Sequence, residues 1–102
     1  MASITILYPS GHDFDLKYYL ETHMPLVSAS WGGDGLQSWE ITQFAADLPY
    51  QIQAILKFES LAAYETARAG PNSAAVFGDI PKFTTAKPIV LKGGIQAVEK
   101  VA

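Results

Sequence analysis

Cysteine is absent from the sequence. A disulfide framework, a zinc–thiolate centre and a cysteine nucleophile are therefore excluded. Charge is also scarce: Asp, Glu, Lys and Arg make up 17% of 102 residues, against about 25% in an average soluble domain. Arg68 is the only arginine, and the formal net charge is −3. Nucleic acid demands clustered cations that follow its phosphates, so it is not an expected partner. No run nears the ~20 apolar residues of a membrane helix. Nor does a basic or long apolar leader precede the strand-like Ser3–Tyr8 segment, as a signal peptide would require. A soluble cytoplasmic protein with no membrane partner is expected. What is abundant is apolar: 49% of residues are hydrophobic, too many for disorder. The length suits a single domain, 1–102, that buries roughly 60–70% of its unfolded surface.

Periodicity then orders the chain. Ser3 to Tyr8 alternates as a strand, with Ile4, Ile6 and Tyr8 on one face and Thr5 and Leu7 on the other. A helix follows, capped by Asp13 or Asp15 and striped by Leu16, Tyr19, Leu20, His23, Leu26 and Val27. Pro25 lies inside that stripe, which predicts a distortion within a turn of His23. Leu36–Phe44 and Gln51–Phe58 read as strands. A second helix starts at Ser60, carries Leu61, Tyr64 and Ala67 inward, and stops at Gly70-Pro71. A short helix over 72–78 and a loop over 79–87 lead to a last strand, Pro88–Lys92, with a bulge or bend at Gly93-Gly94 before Ile95–Val98.

The order β-α-β-β-α-β is the ferredoxin-like signature, an α+β fold whose four-stranded antiparallel sheet carries both helices on one face. Ile4, Ile6, Tyr8, Ala54, Leu56, Phe58, Ile89 and Leu91 are assigned to the helix side. Thr5, Leu7, Ile55 and Val90 are assigned to the other, with only Lys57 and Lys92 as charges. A freely wetted sheet face reads polar throughout. This one predicts a covering partner, most simply a homodimer.

Two segments carry a resemblance. Tyr8-Pro9-x-Gly11-x-x-Phe14-Asp15-x-x-Tyr18-Tyr19-x-x-x-His23-Met24-Pro25-Leu26 resembles the N-terminal signature of the EthD family, named for ethyl tert-butyl ether degradation. Asp79-Ile80-Pro81-x-Phe83-Thr84-x-x-x-Pro88 is similar to that family's C-terminal segment. The resemblance implies a dimeric α+β barrel, in which two ferredoxin-like sheets pack together with helices outside. Relatives of that architecture include cofactor-free monooxygenases of polyketide rings, muconolactone isomerases and haem-handling enzymes. Fold analogy alone does not license a chemistry.

His23 is the leading catalytic candidate. Its spacing after Leu16 and Tyr19 aims an imidazole at the space between helices and sheet, where a neutral ring can take a proton from a phenol or an activated carbon. The plain alternative is a buried histidine tied to backbone or a tyrosine hydroxyl. Tyr19, one turn away, can donate to a developing enolate or phenolate oxygen; as a core aromatic it needs no such role. Tyr8, Tyr18, Trp39, Phe58 and Phe83 are candidate substrate-binding walls for a small organic ligand, and any small core uses the same residue types. Glu40 is an acid inside a predicted strand, more simply solvated than catalytic. Glu21 and His23 sit two apart on a helix and face different ways, so no metal spacing is present. Gly32-Gly33-Asp34-Gly35 precedes a strand and lacks the lysine of a phosphate loop. No metal and no cofactor are expected. The functional expectation is a cofactor-independent enzyme of proton abstraction, leading to oxygenation, isomerisation or dehydration. The alternative is a non-catalytic dimer that binds a small ligand.

Overall fold

The computed structural model describes residues 1–102. Four strands, β1 (Ala2–Pro9), β2 (Leu36–Gln43), β3 (Tyr50–Phe58) and β4 (Ile89–Gly94), form one antiparallel sheet in the order β2-β3-β1-β4. This is the ferredoxin-like α+β arrangement expected from the element order. The helices are α1 (Leu16–Tyr18), α2 (Met24–Trp31), α3 (Leu61–Ala69) and α4 (Ser73–Gly78). No helix is long and apolar enough to cross a membrane.

Local chemistry sets the boundaries. Asp15 Oδ1 accepts from the Tyr18 amide at 3.0 Å, and Ser60 Oγ accepts from the Ala63 amide at 3.0 Å, so the first helical run and α3 each start on a side-chain cap. Gly35, at φ +104°, makes the turn into β2; a Cβ there would stand 3.1 Å from both Ala63 Cβ and Glu59 Cγ. Between α1 and α2 the chain widens into a π-helical turn, Tyr19–His23, in which the Met24 amide reaches back to the Tyr19 carbonyl. Pro25 supplies the reason. It has no N–H, and its ring crowds the carbonyl four residues earlier; the wider turn relieves that contact. The expected distortion is present, and it precedes the proline.

That turn also rotates the helix face. The residues it buries are Tyr19, His23, Met24, Val27 and Trp31, whereas Leu20 is 41% exposed, contrary to the regular stripe. One extra residue in the turn advances the phase by about 100°. Leu61 is likewise exposed at the start of α3, while Tyr64 and Ala67 are buried.

The register corrects the face assignment of β4. Val90 stands opposite Ile6 and Lys92 opposite Ile4, so both lie on the helix side; Ile89 pairs with Leu7 and Leu91 with Thr5 on the outer side. Three consecutive apolar residues, Ile89 to Leu91, give no alternation from which to choose a face, and only the pairing partner decides. The strand expected to stop at Lys92 continues without a register shift through Gly93 and Gly94. β1 already pairs Ala2 with Gly94, leaving only the Ile95 amide to reach the Met1 carbonyl, at 2.9 Å.

The core lies between sheet and helices. Ile4, Tyr8, Ile52, Leu56 and Phe58 from the sheet meet Tyr19, Met24, Val27, Trp31, Tyr64 and Phe83. Each fully buried aliphatic or aromatic side chain contributes about 1.5–3 kcal/mol.

Candidate functional site

The segment 79–84 follows α4 and packs against the first helical run. The Phe83 carbonyl accepts from the Asp15 amide at 2.8 Å, Phe14 and Thr84 form an isolated bridge, and Thr84 Oγ1 donates to the Asp13 carbonyl at 2.7 Å. The two sequence segments that suggested a family resemblance are thus stitched to each other.

The stitching brings Asp79 to His23. Both are buried, at 6% and 4% exposure, and Asp79 Oδ2 lies 2.9 Å from His23 Nδ1. The other carboxylate oxygen accepts from Tyr18 Oη at 2.7 Å, with Lys82 Nζ 3.7 Å away. Burial lowers the His23 pKa, and the Asp79 carboxylate only partly offsets it. For Asp79, burial pushes the pKa up, but the hydrogen bonds from Tyr18 and His23 outweigh that and hold it below the usual carboxylate value. The resting pair is therefore a neutral imidazole, with Nδ1–H donating to an ionised carboxylate. That fixes the tautomer: Nε2 is the unprotonated nitrogen, and the ring's hydrogen bond is made through Nδ1.

His23 lines a cavity of about 70 Å³, several times the ~10–15 Å³ one water needs. Twelve of its fourteen lining residues are hydrophobic, among them Tyr8, Tyr19, Trp31, Tyr64 and Phe77. The Tyr19 ring lies 5.3 Å from the imidazole and nearly parallel to it, and Phe83 lies 4.6 Å away. Burial pushes the Tyr8 phenol up to about 12, and Tyr19 higher still. Tyr19 keeps its proton at any ordinary pH, so it can donate a hydrogen bond and cannot serve as a base.

Of the residues singled out from sequence, His23, Tyr19 and Tyr8 stand on the cavity wall. Phe83 touches the imidazole without being one of those lining residues. Tyr18 sits behind the site, on Asp79. Phe58 is fully buried in the core, and Trp39 donates to Ser28 Oγ at 2.8 Å beside a separate shallow groove; neither lines the cavity. Glu40 is exposed on the outer side of the sheet, opposite Ile55. Sequence reasoning passed over Asp79. Its signal was its position at the head of the C-terminal segment; the 56-residue separation from His23 hid the pairing. Trp31 was also passed over individually. Its indole N–H is buried without a partner, and its ring meets Phe58, Tyr64 and Phe77 edge to face.

No protein-family model matches the sequence, and no curated protein does. Solved structures do match. An EthD-like protein from Ralstonia eutropha JMP134 superposes with a TM-score of 0.82 at 23% identity, covering 97% of this chain and 94% of that one. An EthD family protein from Bacillus halodurans C-125 gives 0.75 at 17% identity, covering 94% and 99%. SnoaB of Streptomyces nogalater, described as a cofactor-independent oxygenase, gives 0.65 at 13% identity, covering 97% and 96%. The chain has the fold of EthD-like proteins over nearly its whole length, as the two segments implied. At these identities the fold is what is shared.

Proposed function

We propose that the protein is a cofactor-independent catalyst of proton abstraction from a small, largely apolar organic molecule held in the cavity beside His23. One observation carries this reading: a buried imidazole that lines an apolar cavity and whose Nδ1 is committed to Asp79, with no hydrogen bond made at Nε2. Such a group does no structural work at Nε2. It is the form a general base takes when its tautomer is fixed by a carboxylate.

In the proposed step Nε2 takes a proton from carbon next to a carbonyl, the C–H electron pair forms the enolate, and Tyr19 O–H donates to its oxygen. Asp79 stabilises the imidazolium, which returns the proton at the same or a neighbouring atom. Isomerisation, dehydration and oxygenation share this opening. SnoaB, of the same fold, is described as a cofactor-independent oxygenase, which supports the class without transferring a substrate.

The working unit is proposed to be a homodimer. Leu7, Ile55, Ile89 and Leu91 form an apolar patch on the outer sheet face, with Ile89 41% and Leu91 54% exposed. A second copy would cover it and leave the helix-side cavity free.

Phenylacetone in deuterated buffer provides the test. The protein should accelerate loss of its benzylic proton signals, and His23→Ala should abolish the acceleration while keeping the fold and phenylacetone binding. Binding with no exchange by the unaltered protein would favour the non-catalytic ligand-binding reading, which the apolar lining equally supports.

A further inference from the structure

The cavity reaches the surface at one side. Phe77 and Val90, 43% and 44% exposed, belong to its wall and also to that of an outer groove of about 410 Å³. Tyr64 is the third residue common to both. Cavity and groove thus adjoin at a shared wall between α3, α4 and the edge strand β4. The groove's remaining two residues are Arg68 and Lys92. Arg68 is the sole arginine of a chain whose net charge is −3. Lys92 is on the helix side of β4 because of the register described above. Both cations are tied to one acid, Glu65: Arg68 Nη2 lies 3.3 Å from Glu65 Oε2, and Lys92 Nζ donates to Oε1. Two positive charges against one negative leave the mouth of an apolar cavity net positive in an acidic protein.

We propose that this mouth selects an anionic substrate: an apolar body that enters the cavity, carrying a carboxylate that stays in the groove on Arg68 and Lys92. The inference rests on the cavity reading above and adds the substrate's charge and orientation to it. A guanidinium and an ammonium on the same side of an opening suit a carboxylate's two oxygens. Glu65 occupies the cations while the site is empty, and the incoming carboxylate competes with it. The hydrocarbon end is thereby directed inward, towards His23.

The probes are 4-ethylbenzoate and its neutral counterpart 4-ethylbenzamide, titrated calorimetrically. The benzoate should bind more tightly than the amide, with the difference shrinking as salt rises. Arg68→Gln and Lys92→Gln should each weaken the benzoate about three- to tenfold, a loss suited to a partly exposed ion pair, and leave the amide unchanged. Glu65→Gln should strengthen the benzoate by a similar factor, because the competing carboxylate is gone. A purely structural role for the Glu65 network predicts the opposite, weaker binding of both probes. Equal binding of both probes, insensitive to all three substitutions, overturns the anion site and leaves the cavity standing. Failure of both probes to bind overturns the cavity reading and this inference with it.

Discussion

At the scale of single residues, the site is set by which groups are left without alternatives. His23 is neutral because burial disfavours its charged form more than Asp79 favours it. Its pKa in the folded chain lies below the unfolded value of about 6.5. Protonation therefore favours the unfolded chain: the stability is intact above about pH 6.5 and falls as pH drops towards the folded value. Asp79, lowered from 3.8, adds a second loss at still lower pH. Urea midpoints measured from pH 8 to pH 4 should decline below about pH 6.5, and His23→Gln should flatten that part of the curve. An unchanged slope in the variant would place the titration elsewhere. The proposed catalysis would follow the same sign, because it needs the neutral ring as base, so its acidic limb should fall below pH 6.5. Asp79→Asn removes the carboxylate that props the His23 pKa up, which should move that limb further to the acid side. It should also cost about 1–3 kcal/mol by leaving the buried Tyr18 and His23 donors poorly matched.

Elements hold these residues in place through their ends and through the one π-helical turn. The π-helical turn Tyr19–His23 places Tyr19, His23 and Met24 on the buried side together and turns Leu20 outward. Such turns recur at functional sites because they aim side chains a regular helix cannot. The caps do different work. Ser60 starts α3, which carries none of Tyr18, Tyr19, His23 and Asp79, whereas Asp15 starts the run that carries Tyr18, Tyr19 and His23. Ser60→Ala and Asp15→Ala should each lower stability by about 1 kcal/mol in urea unfolding. Only Asp15→Ala is expected to slow proton exchange as well, since loosening that start loosens Tyr18 behind Asp79. Equal effects of the two caps on exchange would show that the site does not depend on the start of the first helix.

For the whole molecule, the sheet divides the labour. Its helix side carries the core and the cavity; its outer side carries an apolar patch with Ser38, Glu40, Thr42 and Lys57 nearby. Sedimentation at micromolar concentration should give twice the 11.0 kDa chain. Leu91→Lys should return it to one chain without altering the helix side, because Leu91 pairs with Thr5 on the outer face. A stable 11.0 kDa species from the unaltered protein would refute the proposed dimer.

Local patterns were enough for the element order, the antiparallel sheet, the cap at Ser60 and the distortion beside Pro25, because each depends on residues within a turn or a strand of one another. They also pointed His23 and Tyr19 inward, since a few helical turns suffice to define a face. The face of Val90 and Lys92 was not available locally, because a run of three apolar residues has no period; the partner strand chose it. Nor was the Asp79–His23 contact, which joins groups 56 residues apart. Buried polar groups find partners wherever the packed chain brings them, and only the packing of the 79–84 segment against the first helix made that carboxylate the one that holds the imidazole.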